Sequence, residues 1–206
     1  MSVRQLEILV EEPSMEQALR ILIPKITDVE FEVYPYQCKQ DLLSKLPDRL
    51  RGYAHWLPPD WRIVVIVDRD DDDCAQLKQR MDAAAASLRT RNRGSSGNYQ
   101  VVSRMAIEEL EAWFFGDWEA VRSAYPKVSP NIPSKQGYRD SDAIAGGTWE
   151  ALERHLKRAG YFRTGLRKVE AARTIAQHMN PDRNRSASFR ALLHVLREDV
   201  GYSGSP

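Results

Sequence analysis

Ile63-Val64-Val65-Ile66-Val67 is a run of five consecutive β-branched apolar residues, and it ends abruptly in Asp68-Arg69-Asp70-Asp71-Asp72-Asp73, five acids within six positions. Such a run suits a strand buried on both faces, as in a parallel sheet covered by helices, better than a half-exposed strand, whose polarity would alternate. The acids then leave the carboxyl end of that strand, the edge at which open α/β sheets bind ligands. Like charges packed this densely repel one another unless water, salt or a cation relieves them. Two readings follow: a solvated acidic turn that caps the helix beginning at CAQLKQRMDAAAASL, since Asp is a good N-cap, or a set of oxygen ligands.

The rest of the chain supplies a frame for that strand. Leu6, Ile8 and Val10 predict a first strand, and SMEQALRILIPKI places Met15, Leu19, Leu22 and Ile26 at helical spacing, with Pro24 ending or kinking the helix. VEFEVYPY (29–36) reads as a second strand, and KQDLLSKLPDRLRGYAHWL as a helix interrupted at Pro47. After the third strand come a helix over 74–90, a basic turn RNRGSSGN (91–98), a fourth strand at 99–105, and a helix in IEELEAWFFGDWEAVRSAY. Strands alternating with helices predict a mostly parallel four-stranded, Rossmann-like sheet flanked by helices, with right-handed crossovers. Residues 126–147, with Pro126, Pro130, Pro133 and Gly146-Gly147, read as a long surface loop. Helices are expected near 148–159, 167–179 and 187–198. The expected organisation is an α/β domain over 1–125, with 126–206 a loop and C-terminal helical appendage that has few core residues of its own.

With 206 residues, 42% apolar and 29% charged, the chain is long enough for one sizeable core. No apolar stretch approaches the roughly 20 residues of a membrane helix. The amino terminus MSVRQLEILVEE lacks the pattern of a signal peptide, so a cytoplasmic location without a membrane partner is expected. Cys38 and Cys74 form no CxxC pair and are expected to be reduced thiols. A net charge of +1 does not announce a nucleic-acid binder, although Arg and Lys gather after residue 150 while acids cluster early.

The first strand also ends in acid. Glu11 follows Val10, as Asp68 and Asp70 follow Val67, so neighbouring strands would bring the three carboxylates together. In an Asp-x-Asp on an extended segment both side chains share a face. Hard divalent cations take oxygen ligands of this sort, Mg²⁺ at roughly 2.0–2.1 Å. Glu108 and Glu111, three apart, share a helix face beyond the fourth strand. Glutamates there, Glu108 and Glu109 above all, also suit a solvated helix amino terminus favoured by its dipole.

VEEPSMEQAL resembles the first motif of the TOPRIM domain, the catalytic fold of type IA topoisomerases, bacterial primases and overcoming-lysogenization-defect (OLD) nucleases. VDRDDDD is similar to its second motif, Asp-x-Asp followed by an acid two residues later. The resemblance covers about residues 5–115. With IEELEAWFFGDWEAV and RKVEAARTIA…NRSASF, the whole chain resembles a family of small bacterial TOPRIM-like proteins related to OLD-type nucleases, some of whose wider group are encoded beside ABC/SMC-like ATPases in phage-defence systems. The resemblance implies that Glu11, Asp68 and Asp70 hold Mg²⁺ or Mn²⁺, and that Asp72 and Glu111 ligate a second ion or bind through water. It further implies that Lys168 steadies the scissile phosphate, with Lys135 in reserve. Nuclease relatives often carry another acid where this chain has Met15, with Glu16 adjacent, which leaves a second metal site open.

His55, His155, His178 and His194 lack zinc spacing, and most of them are expected to be surface or satisfied structural histidines. No GxxxxGK[ST] loop is present. The five tryptophans read as core or interface anchors, and NRSASF as an N-cap for the last helix. The expected function is a metal-dependent nuclease acting on DNA or RNA, with an ATPase partner in bacterial defence or nucleic-acid processing. The alternative is a non-catalytic TOPRIM-like binding or regulatory subunit of an ATPase complex. Because like charges repel in the metal-free cluster, Asp70→Asn should raise the melting temperature in EDTA and gain less from Mg²⁺ than wild type; a lower melt would make Asp70 a structural cap.

Overall fold

A computed structural model describes residues 3–69, 73–85, 101–106 and 109–199. Strands β1 (Gln5–Val10), β2 (Glu30–Pro35), β3 (Trp61–Asp68) and β4 (Val101–Ala106) lie in the order β2-β1-β3-β4. Every pairing is parallel. Ile63 to Val67 are buried along their whole length, as a β-branched run covered on both faces should be. Their side chains alternate between two cores. Val64 and Ile66 join Leu6, Ile8 and Val10 on one face, while Ile63, Val65 and Val67 join Leu9 on the other.

The order of the strands dictates which helix covers which face. The step from β1 to β2 runs one way across the sheet, and the steps from β2 to β3 and from β3 to β4 run the other way. Right-handed crossovers then put α1 (Pro13–Leu22) on one face and α2 (Lys39–Trp56) and α3 (Cys74–Ala84) on the opposite one. Met15, Ala18, Leu19 and Leu22 of α1 pack into the first core, and Leu42, Leu46, Leu50, Leu77 and Met81 into the second. Among the described residues no crossover helix lies over β3 and β4 on the face of α1. That space is filled by the carboxyl-terminal half of the chain: α4 (Leu110–Gly116), α5 (Trp118–Ala124), α6 (Thr148–Arg158), α7 (Lys168–His178) and α8 (Ala187–His194). Trp113, Phe114, Leu152, Ile175 and Phe189 are all buried in the same core as β1 and α1. The tail is therefore not poor in core residues, as its sequence suggests; it completes the layer that α1 begins.

Local signals hold in several places. Pro13 opens α1 at a position where its missing N–H is no loss, and the helix gives way at Pro24 to a 3₁₀ turn, Ile23–Lys25. Asp73 caps α3 by accepting from the Gln76 amide at 2.9 Å, and Ser186 caps α8 by accepting from the Phe189 amide at 3.2 Å. Pro47, by contrast, does not interrupt α2, which is continuous from Lys39 to Trp56. Buried Leu42, Leu43 and Leu46 before the proline, and Leu50 and Tyr53 after it, hold the helix to the sheet despite one lost backbone hydrogen bond. His155 is also unlike its expectation: it is buried among the rings of Phe115, Trp118 and Tyr138. Its Nε2 has no hydrogen-bond partner among the described residues, and burial pulls its pKa down to about 4.

The single helix expected after β4 is two helices, broken at Asp117 (φ −126°, ψ 66°). The Asp117 carboxylate is buried and satisfied from far along the chain, accepting from Arg183 Nε at 2.7 Å and from the Asn180 amide at 2.9 Å. A buried carboxylate needs such partners, and reaching them costs the helix its continuity. Beside it the Arg185 amide donates to the Gly116 carbonyl at 3.0 Å, so two backbones meet where Gly116 has no side chain. A Cβ there would collide with Asn184 Oδ1 and lie 2.7 Å from the Ser186 amide nitrogen. Gly116→Ala should lower the stability measured by urea unfolding by about 1–3 kcal/mol, the usual cost of overpacking; an unchanged midpoint would show that the two segments separate freely.

Candidate functional site

The strand order places a reversal of chain direction between β1 and β3, the kind of switch point at which open α/β sheets bind ligands. Glu11 leaves β1 there, and Asp68 ends β3 beside it. The Asp68 amide donates to Glu11 Oε2 at 3.0 Å, fixing one carboxylate against the backbone of the other strand. Both residues are buried, at 7% and 3% exposure. Lys39, at the start of α2, reaches the same edge and donates from Nζ to the Arg69 carbonyl at 3.1 Å.

Lys168 comes to this edge from more than a hundred residues away, carried by the packing of α7 along α1. At one end Lys25 Nζ donates to the carbonyls of Ala176, Gln177 and Met179 at 2.9, 2.8 and 2.9 Å. These are the orphan acceptors at the carboxyl end of α7, where a cation is favoured. Midway, Arg173 Nη2 donates to Gln17 Oε1 at 2.6 Å. The two helices thus run side by side in the same direction, which brings the first residue of α7, Lys168, level with Glu12 at the start of α1. Lys168 Nζ lies 5.2 Å from the centre of the Trp149 ring, within cation–π range. Burial by itself lowers the pKa of this ammonium, but Glu111, Glu12, Glu109 and Asp68 outweigh it and the net shift is upward.

Glu111 is the most confined of these acids, 2% exposed in the first turn of α4. Its Oε2 has no hydrogen-bond partner among the described residues. Burial raises its pKa from 4.5 to about 8, with Lys168 opposing the rise and Glu109 and Glu12 adding to it. At neutral pH burial therefore favours the protonated form of this carboxyl.

The residues anticipated from sequence fall into three groups. Glu11 and Asp68 meet directly, and Lys168 feels both Asp68 and Glu111. Asp70, Asp72 and Glu108 lie outside the described residues. Met15 is fully buried in the core, and Glu16 pairs with Arg20 at 2.8 Å, so the acid proposed to stand in for Met15 is engaged on the flank of α1. Lys135, the reserve lysine, contributes instead to the field around His155. Three participants were missed: Glu12, Glu109 and Trp149. Glu12 could have been noticed as a second acid beside Glu11. Glu109 is not a solvated glutamate; its Oε2 accepts from Thr148 Oγ1 and from the Trp149 amide, both at 2.8 Å, and so caps the start of α6. No local signal marks Trp149 as the neighbour of Lys168.

Among the described residues, no group of three or more His, Cys, Asp or Glu is arranged to hold a metal ion. The donors that do converge are carboxylate oxygens, the type preferred by Mg²⁺ and Mn²⁺, and the buried Glu111 oxygen without a partner suits an added positive charge. Among the described residues no helix is long and apolar enough to cross a membrane.

A parallel sheet with acids at a switch point defines an α/β protein whose carboxyl edge carries a candidate ligand site. The chain belongs to the family described as "Domain of unknown function (DUF4276)", which matches residues 10–197. Comparison with curated proteins finds no match. Among solved structures, the chain is similar to the C-terminal region of the Burkholderia pseudomallei OLD protein, with 19% identity over 97% of this chain and 100% of that one and a TM-score of 0.48.

The raised pKa of Glu111 has a defined consequence for stability. Below about 4.5 the carboxyl is protonated in both folded and unfolded chains; between about 4.5 and about 8 only the folded chain keeps the proton; above that neither does. Wild type should therefore lose stability relative to Glu111→Gln as pH rises through this window, and the gap should level off above it. Urea unfolding of both proteins across the range checks this, and a gap independent of pH would mean that Glu111 titrates as it does in water.

Proposed function

We propose that this chain is a Mg²⁺- or Mn²⁺-dependent nuclease of TOPRIM type that hydrolyses phosphodiester bonds in DNA or RNA. The observation that carries the reading is the arrival of Lys168 at the acidic edge, facing Glu111, Glu12 and Asp68. A lysine held only by structural demands has little reason to be half-buried among carboxylates from three separate elements. A phosphate bound at that edge gives the ammonium a partner whose charge grows during cleavage.

In this reading Glu11 and Asp68 hold a divalent cation together with Asp70, while Asp72 and Glu111 complete a second position or bind through water. The chemistry such a cation supplies when bound is polarisation of a phosphoryl oxygen and activation of water. Glu11 is kept in place by the Asp68 amide. A cation bound there would favour the ionised form of Glu111, its proton passing to solvent, and Lys168 would hold the phosphate against the acids. Trp149 orients the lysine. We further propose that the nuclease works with an ABC/SMC-like ATPase in bacterial defence or nucleic-acid processing, in keeping with the motifs at the ends of β1 and β3.

The test is cleavage of plasmid, single-stranded DNA and RNA with Mg²⁺ or Mn²⁺, by the full chain alone and with a neighbouring ATPase. Asp68→Asn should abolish cleavage and weaken Mn²⁺ binding in calorimetry. Lys168→Ala should cleave about a hundredfold more slowly or worse while still binding Mn²⁺. It should also stay folded, since Glu111 can remain protonated without it. Unchanged cleavage by Lys168→Ala, or equal Mn²⁺ affinity in Asp68→Asn, would overturn the assignment.

A further inference from the structure

A second feature lies on the same carboxyl edge, on the outer side of β1. A pocket of about 810 Å³, within the roughly 300–1,000 Å³ of small-ligand sites, is bounded by Pro13, Tyr34, Tyr36, Lys45 and Arg49. Tyr34 is the penultimate residue of the edge strand β2, and Tyr36 follows just beyond its end; both rings pack against the core on the α2 side of the sheet. Arg49 of α2 lies over the Tyr34 ring, with Cζ 4.7 Å from its centre. From below it is anchored to Tyr53: Nη2 donates to the Tyr53 hydroxyl at 3.0 Å, and that hydroxyl donates to the buried Glu7 at 2.7 Å.

The chemistry of the pocket is specific. Its two acids are already neutralised, Asp41 by Lys45 at 2.6 Å and Asp48 by Arg51. The contacts of Arg49 are with neutral tyrosines, so its charge remains available to an anion. Half-buried aromatic faces beside a fixed guanidinium suit a flat aromatic group attached to a phosphate. The pocket also adjoins the candidate site through the backbone. The Tyr36 amide donates to the Val10 carbonyl at 2.9 Å, and Pro13 forms part of the wall, so Glu11 and Glu12 sit between two residues that belong to the pocket's frame.

We propose that this pocket receives an unpaired base and its phosphate next to the cleaved bond, and that the preferred substrate is single-stranded nucleic acid. The inference rests on the nuclease reading for the words "cleaved bond", but the binding it describes does not require cleavage. A base in a duplex is already stacked and paired, whereas an unpaired one can stack on Tyr36 and present its phosphate to Arg49.

The experiment is fluorescence anisotropy of the full chain with a labelled oligothymidylate, and with a labelled duplex of the same length, in EDTA at low salt. The single strand should bind more tightly than the duplex. Tyr36→Ala should weaken single-strand binding about tenfold, as loss of one base–aromatic stack does, and Tyr36→Phe should restore it. Where Tyr36→Ala fails to fold, Lys45→Glu provides the same test on an exposed residue and should weaken binding with a shallower salt dependence. Equal affinity for duplex and single strand, wild-type binding by Tyr36→Ala, or wild-type binding by Lys45→Glu would each overturn the pocket. Such a failure would leave cleavage at the acidic edge untouched. Conversely, single-strand binding retained by a chain that cleaves nothing would remove the nuclease reading and leave the pocket standing.

Discussion

The structure turns on one helix pair. α7 lies along α1 in the same direction, held by Lys25 at its carboxyl end and by Arg173 against Gln17 in the middle. Among the described residues no crossover helix lies on the α1 face of β3 and β4, and the tail that α7 anchors to α1 fills that space, with α8 against β4. The pairing also decides what happens at the other end of the helices, where Lys168 is brought to Glu12. Three carbonyls accepting from one ammonium are a short-range, directional lock, and the register it sets extends along the length of α7 to the acids.

At that edge the dominant force is the cost of confining carboxylates. Glu111 is buried with an oxygen lacking a hydrogen bond among the described residues, and it answers by keeping its proton to about pH 8. Lys168 is also partly desolvated, yet the surrounding acids keep it charged. Glu111 would keep its proton without Lys168, whose charge opposes protonation, whereas Lys168 owes part of its upward shift to the acids around it. Burial strengthens the pull of the surrounding acids on the Lys168 ammonium relative to a surface pair.

The order β2-β1-β3-β4 gives the carboxyl edge two neighbouring environments from one chain reversal. On one side of β1 are acids and a lysine from the tail; on the other are tyrosines and an arginine from β2 and α2. Their separation by a single strand follows from β1 being central, and the hydrogen bond from Tyr36 to Val10 ties one to the other.

What was legible in the sequence was local. Five β-branched residues can hardly do other than form a covered strand. Acids following Val10 and Val67 had to leave the same edge if the sheet was parallel, though only the strand order makes their strands neighbours, and Ser186 and Asp73 announced caps that need only the next few residues. What the sequence did not disclose depended on partners far along the chain. The break at Asp117 exists because Arg183 and Asn180 draw its carboxylate inward. Pro47 is tolerated because the leucines on both sides of it are buried against the sheet, and the tail reads as an appendage until the strand order shows an uncovered face. Periodicity and capping are set by neighbours within about one helical turn. The position of Lys168 beside Glu111 is set by the packing of whole helices, a property that no short stretch of the chain contains.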